Sequence, residues 1–143
     1  MQTNLHVTSA IKNLDKAKVH KLVGLLKHEL GISIESLLIN IISSKEIIRI
    51  NKQYLDHNYT TDILTFNYSG SNSDIDGEIF ISVDDAAYFA RKYKVSLSSE
   101  LTRLIIHGIL HLAGYDDTKD DDKKKMKSIE NNLTIEYNFP LLR

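Results

Sequence analysis

The chain has 143 residues, a formal net charge of −1 and no cysteine, so its charge argues against non-specific coating of nucleic acid. Without cysteine it has neither a disulfide framework nor a thiolate zinc finger, and a metal site must use His and carboxylate ligands. Size and the lack of a Pro- or Gly-rich seam predict one domain over residues 1–143, and no apolar run or signal pattern predicts a membrane partner, so we expect a cytoplasmic protein.

Strands and helices alternate in the first part of the chain. Four elements are predicted there: a strand at Leu5 and Val7, a helix capped by Asn13 or Asp15 and ended by Gly31, a β-branched strand over 36–43, and a helix from Ser44 and Glu46 through Tyr54. The first helix has an apolar face of Val19, Leu22, Val23, Leu26 and Leu30.

The second part begins with two strands and continues with helices. The predicted elements are a strand over 63–68, a loop over 69–74, a strand over 77–83, a helix from Asp84, a long apolar helix capped by Ser98 or Ser99, and a last helix built on Met126, Ile129 and Leu133. The short loop predicts that the strands on its two sides pair. Together these elements predict an α+β fold, a small mixed four-stranded sheet with about five helices packed on it.

The segment "HGILHLAGYDD", residues 107–117, interrupts the apolar helix with an unusual polar pattern. His107 and His111 are four residues apart, so they share one helix face at a spacing that lets both imidazoles reach one metal ion. Gly114 can end the helix in a left-handed conformation, and Asp117 can then turn towards the same ion. Two histidines alone are more often surface residues, but the whole string favours one Zn²⁺ at the C-terminal end of this central helix, with an open position for water.

The spacing also resembles the H-E-x-x-H-x-x-G-x-x-H pattern of the metzincin peptidases. In that pattern a glutamate follows the first histidine and serves as the general base. Gly108 stands at that position here, and glycine can neither take nor give a proton. We therefore place a metallopeptidase low among the alternatives.

Three segments of the chain resemble the endoribonuclease YbeY family. "HGILHLAGYDD" is similar to the family signature H-G-x-L-H-L-x-G-Y-D-H, "TDILTF" (61–66) to its T-D-V-L-S-F segment, and "GEIFIS" (77–82) to its G-D-I-x-I-S strand. The resemblance implies a single-strand-specific, zinc-dependent endoribonuclease that acts in ribosomal RNA maturation, at the 3′ end of the small-subunit RNA, and in ribosome assembly and quality control. The implied partners are single-stranded ribosomal RNA and the ribosome or its proteins.

The chain departs from the family pattern at three positions. His107 and His111 match the first two zinc ligands of the family, but Asp117 stands where the third histidine falls, and aspartate is an acceptable zinc ligand. Leu55 replaces an arginine that the resemblance implies to engage phosphate, so that role is either missing or passes to Arg49 or Arg103. Arg103, one turn before His107 on the same helix face, is the better candidate. Glu78 replaces the aspartate of the G-D pair, and the sequence does not tell whether it reaches the site.

Three functions of different classes remain open at this point. The first is a zinc-dependent endoribonuclease. The second is a non-catalytic ribosome-assembly factor with a structural metal, which the replacement of the family arginine by Leu55 favours. The third is the metzincin-like peptidase, which Gly108 disfavours.

Overall fold

The computed structural model describes residues 4–55, 61–115 and 118–143, and the side chain of Leu55 lies outside the described part. In chain order the elements are β1 (Leu5–Ser9), α1 (Lys16–Leu30), β2 (Ser33–Ile42), α2 (Ser44–Leu55), β3 (Ile63–Asn67), β4 (Asp74–Ser82), α3 (Val83–Lys92), α4 (Leu97–Leu112) and α5 (Asp120–Glu136). The predicted α+β fold is confirmed: within these ranges four strands form one mixed sheet and five helices accompany it. No helix of the described ranges is both long and apolar enough to cross a bilayer.

The sheet has the strand order β1-β2-β4-β3. β1 pairs with β2, and β2 pairs with β4, in parallel. This is possible because α1 in the first case, and α2 with β3 in the second, return the chain to the end of the sheet at which the previous strand began. β3 and β4 pair antiparallel across the loop that follows Asn67, which confirms the predicted pairing. The site described below lies at the β3 side of this sheet.

One face of the sheet carries the main core. Alternate residues of the central strands point to α1 and α4, and the largest of them are fully buried: Leu37, Ile39, Ile41, Ile79 and Ile81. The opposite face is covered at one end by α2, where Ile47 and Ile50 pack with Leu64. α4 therefore lies between the sheet and α5, with ten of its residues buried.

The ends of two helices test the capping residues predicted from the sequence. Asp15 caps α1 and Gly31 ends it at φ 63°, both as predicted. The cap predicted for α4 is wrong, because Ser96, not Ser98 or Ser99, accepts the hydrogen bond from the backbone N–H of Ser99 at 3.0 Å. The hydroxyl of Ser98 instead accepts the backbone N–H of Leu141 at 2.7 Å, which ties the C-terminal segment to α4.

Candidate active site

Gly108 lets α4 lie close against the sheet. A Cβ at this position would be 2.8 Å from Cδ1 of Ile79 and 3.2 Å from Cδ1 of Ile63, so any side chain would require these isoleucines or the helix to shift. The glycine beside the first histidine thus has a packing role. Because α4 is held at this distance, His107 and His111 come next to the start of β3.

His107 and His111 line one cleft of about 320 Å³, which we call the histidine cleft. The other residues that line it belong to β3 and the segment before it: Thr61, Asp62, Ile63 and Thr65. The His107 side chain is 26% exposed, and His111 is exposed. Both imidazoles therefore reach one solvent-accessible space beside a carboxylate.

Glu130 on α5 fixes the ring of His107. Its buried carboxylate lies with Oε1 2.5 Å from Nδ1 of His107, while Oε2 accepts a hydrogen bond from Nη1 of Arg103 at 2.9 Å. Histidines that bind metal commonly use one ring nitrogen on a carboxylate in this way, which sets the orientation of the other nitrogen. This contact sets the orientation of the His107 ring at the edge of the histidine cleft.

Arg103 is held between two glutamates. Its Nε and Nη2 donate to the carboxylate of Glu100 at 3.0 and 2.5 Å, and Nη1 donates to Glu130. The hydrogen bond to Glu100 raises the pKa of the Arg103 guanidinium above its usual value. All three guanidinium nitrogens thus have protein acceptors, and the phosphate contact assigned to Arg103 from the sequence stays a prediction.

Two carboxyl groups near the histidines have shifted pKa values. Burial raises the pKa of Asp62, by more than the positive charges of Arg103 and His107 lower it. Burial would also raise the pKa of Glu130, but the hydrogen bond from His107 and the charges of His107 and Arg103 outweigh it, so that pKa lies below its usual value. Glu130 is therefore held ionised, while burial disfavours the charged form of Asp62.

Glu78, the family aspartate position, lies on the other side of the sheet from the histidines. Its neighbours Gly77 and Ile79 face α4, so Glu78 points to the opposite face. There its carboxylate accepts hydrogen bonds from Nδ2 of Asn40 at 2.9 Å and from the hydroxyl of Tyr68 at 2.8 Å. The open question from the sequence is answered: Glu78 does not line the histidine cleft.

The third predicted metal ligand, Asp117, lies outside the described residues, as does Asp116. Among the residues that are described, no group of three or more His, Cys, Asp or Glu side chains is arranged to hold a metal ion. The described part supplies two histidines on one cleft, with a carboxylate behind the first. That donor set suits zinc, and the third ligand stays a prediction.

The sequence reasoning missed Asp62, Glu100 and Glu130 as site residues. A signal for Glu130 was present, because it follows Met126 by four residues and precedes Leu133 by three, which places a carboxylate on the buried stripe of α5. Glu100 likewise occupies a buried position of the apolar α4. A charged side chain on the buried face of a helix requires a partner, and the partners of these two glutamates lie at the site.

A sequence model of the family described as endoribonuclease YbeY matches residues 2–138. The chain belongs to the YbeY family. The endoribonuclease YbeY of Chlorobium phaeobacteroides is 42% identical over 119 residues, covering 83% of each chain, and that of Chlorobium phaeovibrioides is 35% identical over 91% of this chain and 86% of its own. The family resemblance expected from the sequence is thereby confirmed, and with it the enzyme class, an RNA-cleaving hydrolase.

A solved structure supports the fold assignment. The solution structure of TM1509 from Thermotoga maritima superposes with a TM-score of 0.67 and 26% identity, over 93% of this chain and 88% of that one. The four-stranded sheet with its helices is thus shared with a protein of known structure.

Proposed function

We propose that this YbeY protein is a metal-dependent endoribonuclease specific for single strands, acting in maturation of the small-subunit ribosomal RNA at its 3′ end and in ribosome assembly and quality control. One Zn²⁺ would be held by His107, His111 and Asp117. The observation that carries the proposal is the histidine cleft, where two imidazoles share one space and His107 is oriented by the buried Glu130. Ribosomal RNA, the ribosome and a cytoplasmic location are part of the same proposal.

Zinc, Asp62 and Glu130 would have different roles in the reaction at the histidine cleft. Zinc bound there would supply a Lewis acid for the phosphoryl oxygen and activate water. Asp62 lies in the same cleft, so its carboxylate can accept a hydrogen bond from a substrate hydroxyl or from water activated there. Glu130 keeps its charge and holds Nδ1 of His107, which orients the ring.

A second candidate function is a non-catalytic assembly factor with a structural metal. The observation in its favour is the pairing of Arg103 with Glu100 and Glu130, because a guanidinium held by two carboxylates is poorly placed to meet a phosphate. The packing at Gly108 also disfavours the peptidase alternative. Gly108 packs against Ile79, and the space at this position does not fit the side chain of a general base.

Cleavage of a single-stranded RNA and of the matching duplex tests the proposal. We expect the purified protein to cleave the single strand. Cleavage should stop when a chelator is added and should resume when Zn²⁺ is restored. Cleavage that continues in chelator would indicate a contaminating nuclease. Absence of cleavage by zinc-loaded protein that still binds ribosomes would support the assembly factor instead.

The metal affinity of variants at two neighbouring positions tests the ligand set. We expect Asp117→Ala to weaken zinc binding strongly, Asp116→Ala to change it little, and Asp117→His to retain the metal, because the family signature places its third histidine at position 117. Equilibrium dialysis with metal analysis measures all three. The reverse order of the two alanine variants would show that the register is wrong.

A further inference from the structure

A second cleft lies directly beside the histidine cleft, and α3 supplies its aromatic wall. This aromatic cleft measures about 510 Å³. Phe89, Tyr93 and Val95 line one side, and Asp62, Arg103 and Lys127 are among the polar residues that line it. Neither the metal site nor the fold accounts for this space.

The aromatic wall contains two parallel rings and is open to solvent. The rings of Phe89 and Tyr93 are stacked with their centroids 6.0 Å apart and their planes at 11°. Tyr93 is 60% exposed and Val95 44% exposed, although both are large apolar side chains. The ammonium group of Lys92 lies 5.8 Å from the centroid of the Tyr93 ring and 5.9 Å from that of Phe89. Exposed aromatic faces with cations beside them are typical of sites that bind the bases and phosphates of single-stranded nucleic acid.

The two clefts are neighbours, since they share a lining residue. Asp62 lines both of them. Along α4, Arg103 lines the aromatic cleft, while His107 and His111 line the histidine cleft, at intervals of four residues on one helix face. Eight residues of helix rise about 12 Å, a distance that a few stacked nucleotides of one strand span. A strand with its scissile phosphate at the histidines would place a neighbouring base in the aromatic cleft.

We propose that the aromatic cleft binds a nucleobase of single-stranded RNA, stacked on Tyr93, next to the position of cleavage; the inference rests on the proposed function. Stacking tolerates any base, and the carboxylate of Asp62 offers an acceptor to the amino or imino group of a base edge. Lys127 lines the cleft and Lys92 lies beside the Tyr93 ring, so each can supply a cation for a phosphate of the strand. A base in a duplex is stacked on its neighbours and cannot enter, so this cleft favours single strands.

Fluorescence of a 2-aminopurine base in a single-stranded oligonucleotide tests the proposal. The protein has no tryptophan, so the probe emission is read without interference from that residue. The zinc-loaded protein is titrated into a 2′-O-methyl RNA whose integrity is checked on a gel. We expect quenching on binding by the wild type and an affinity about tenfold weaker for Tyr93→Ala, since stacking of one base is worth about 1–3 kcal/mol. Tyr93→Phe keeps the ring and should bind within about twofold of the wild type.

Tyr68→Ala is the matched control. Tyr68 is also 60% exposed, but it lies on the opposite face of the sheet beside Glu78. Its removal should leave RNA affinity unchanged. If Tyr93→Ala binds as well as Tyr68→Ala, the aromatic cleft does not bind a base, while the endoribonuclease proposal stands on cleavage by the wild type. If the wild type neither binds nor cleaves single strands, both proposals fail. If Tyr93→Ala instead shifts the sedimentation of the free protein, the cleft is a contact between copies of this chain, which overturns the nucleobase assignment.

Discussion

Two glutamate–arginine pairs in this chain have the same helical spacing but opposite surroundings. Arg49 pairs with Glu46 on α2, and the two side chains are 58% and 44% exposed. Arg103 pairs with Glu100 on α4, where the exposed fractions are 24% and 3%. Exposed pairs contribute little to stability, whereas removal of one partner from a buried pair leaves a charge without compensation. Spacing alone therefore does not tell what such a pair does.

Replacing Glu100, the buried glutamate of the α4 pair, should destabilise the protein strongly. We expect Glu100→Ala to lower the free energy of unfolding by about 3–5 kcal/mol, because Arg103 loses two of its three hydrogen bonds in a partly buried position. Urea denaturation measures the change. Glu46→Ala is the control at the same spacing and should leave the denaturation midpoint where it is. Equal effects of the two variants would contradict the account of the buried network.

Glu130 should act on the metal through His107. With Glu130→Gln the side-chain volume is kept but the charge that orients the ring is lost, and we expect zinc affinity to fall about 10- to 100-fold. Competition with a chromophoric chelator gives the affinity without any need for RNA. Glu136→Gln, an exposed change on the same helix, should retain the affinity of the wild type. Unchanged affinity in Glu130→Gln would show that its contact with His107 serves packing alone.

The residue scale also shows what the sequence can reveal about a site. The spacing of His107 and His111 predicted that they share one face, and both line the histidine cleft. The role of Glu130 was not evident from the sequence, because Glu130 is distant from His107 in the chain and belongs to another helix. Only the packing of α5 on α4 brings the two residues together. Local periodicity predicts which residues share a face, while contacts between elements depend on the tertiary arrangement.

At the scale of elements, the distance between α4 and the sheet determines where the histidines lie. Gly108→Ala would add a methyl group 2.8 Å from Cδ1 of Ile79. We expect a loss of about 1–2 kcal/mol in the free energy of unfolding, because overpacking outweighs the better helix propensity of alanine. Thermal or urea denaturation measures it.

Ile79→Val provides the compensating change, since it removes Cδ1 of Ile79, the nearest of the atoms that the new methyl group would meet. The double variant Gly108→Ala with Ile79→Val should lose less stability than the sum of the two single variants. Strict additivity, or a Gly108→Ala protein more stable than the wild type, would contradict the close packing of α4 on β4.

Element types were predictable from this sequence, and some element ends were not. The apolar periodicity of α1 and the capping residues Asp15 and Gly31 are local, and the helix ends where they place it. In α4 three serines compete for the cap within four positions, and only the one whose hydroxyl meets the N–H of Ser99 serves. Ser98, predicted as a cap, bonds the C-terminal segment instead, a contact with no local sequence signal.

At the scale of the whole molecule, the sheet brings the two clefts together. β3 is an edge strand, and the segment that enters it carries Asp62 into both clefts beside α4. Composition and periodicity predicted the mixed sheet and its helices, but the strand order β1-β2-β4-β3 follows from the pairing of distant strands. The alternation of side chains along β4 places Glu78 on the face away from the histidines, which its position in the motif did not reveal.

RNA cleavage by a variant lacking both histidines tests the central claim most directly. The zinc-loaded wild type and the His107→Ala, His111→Ala variant are compared on one single-stranded RNA, with circular dichroism to confirm that the variant is folded and metal analysis to follow the zinc. We predict that the wild type holds about one zinc per chain and cleaves the RNA, and that the folded variant loses both the metal and the cleavage. A folded variant that retains the metal or cleaves at the rate of the wild type would contradict the assignment of the histidine cleft as the active site.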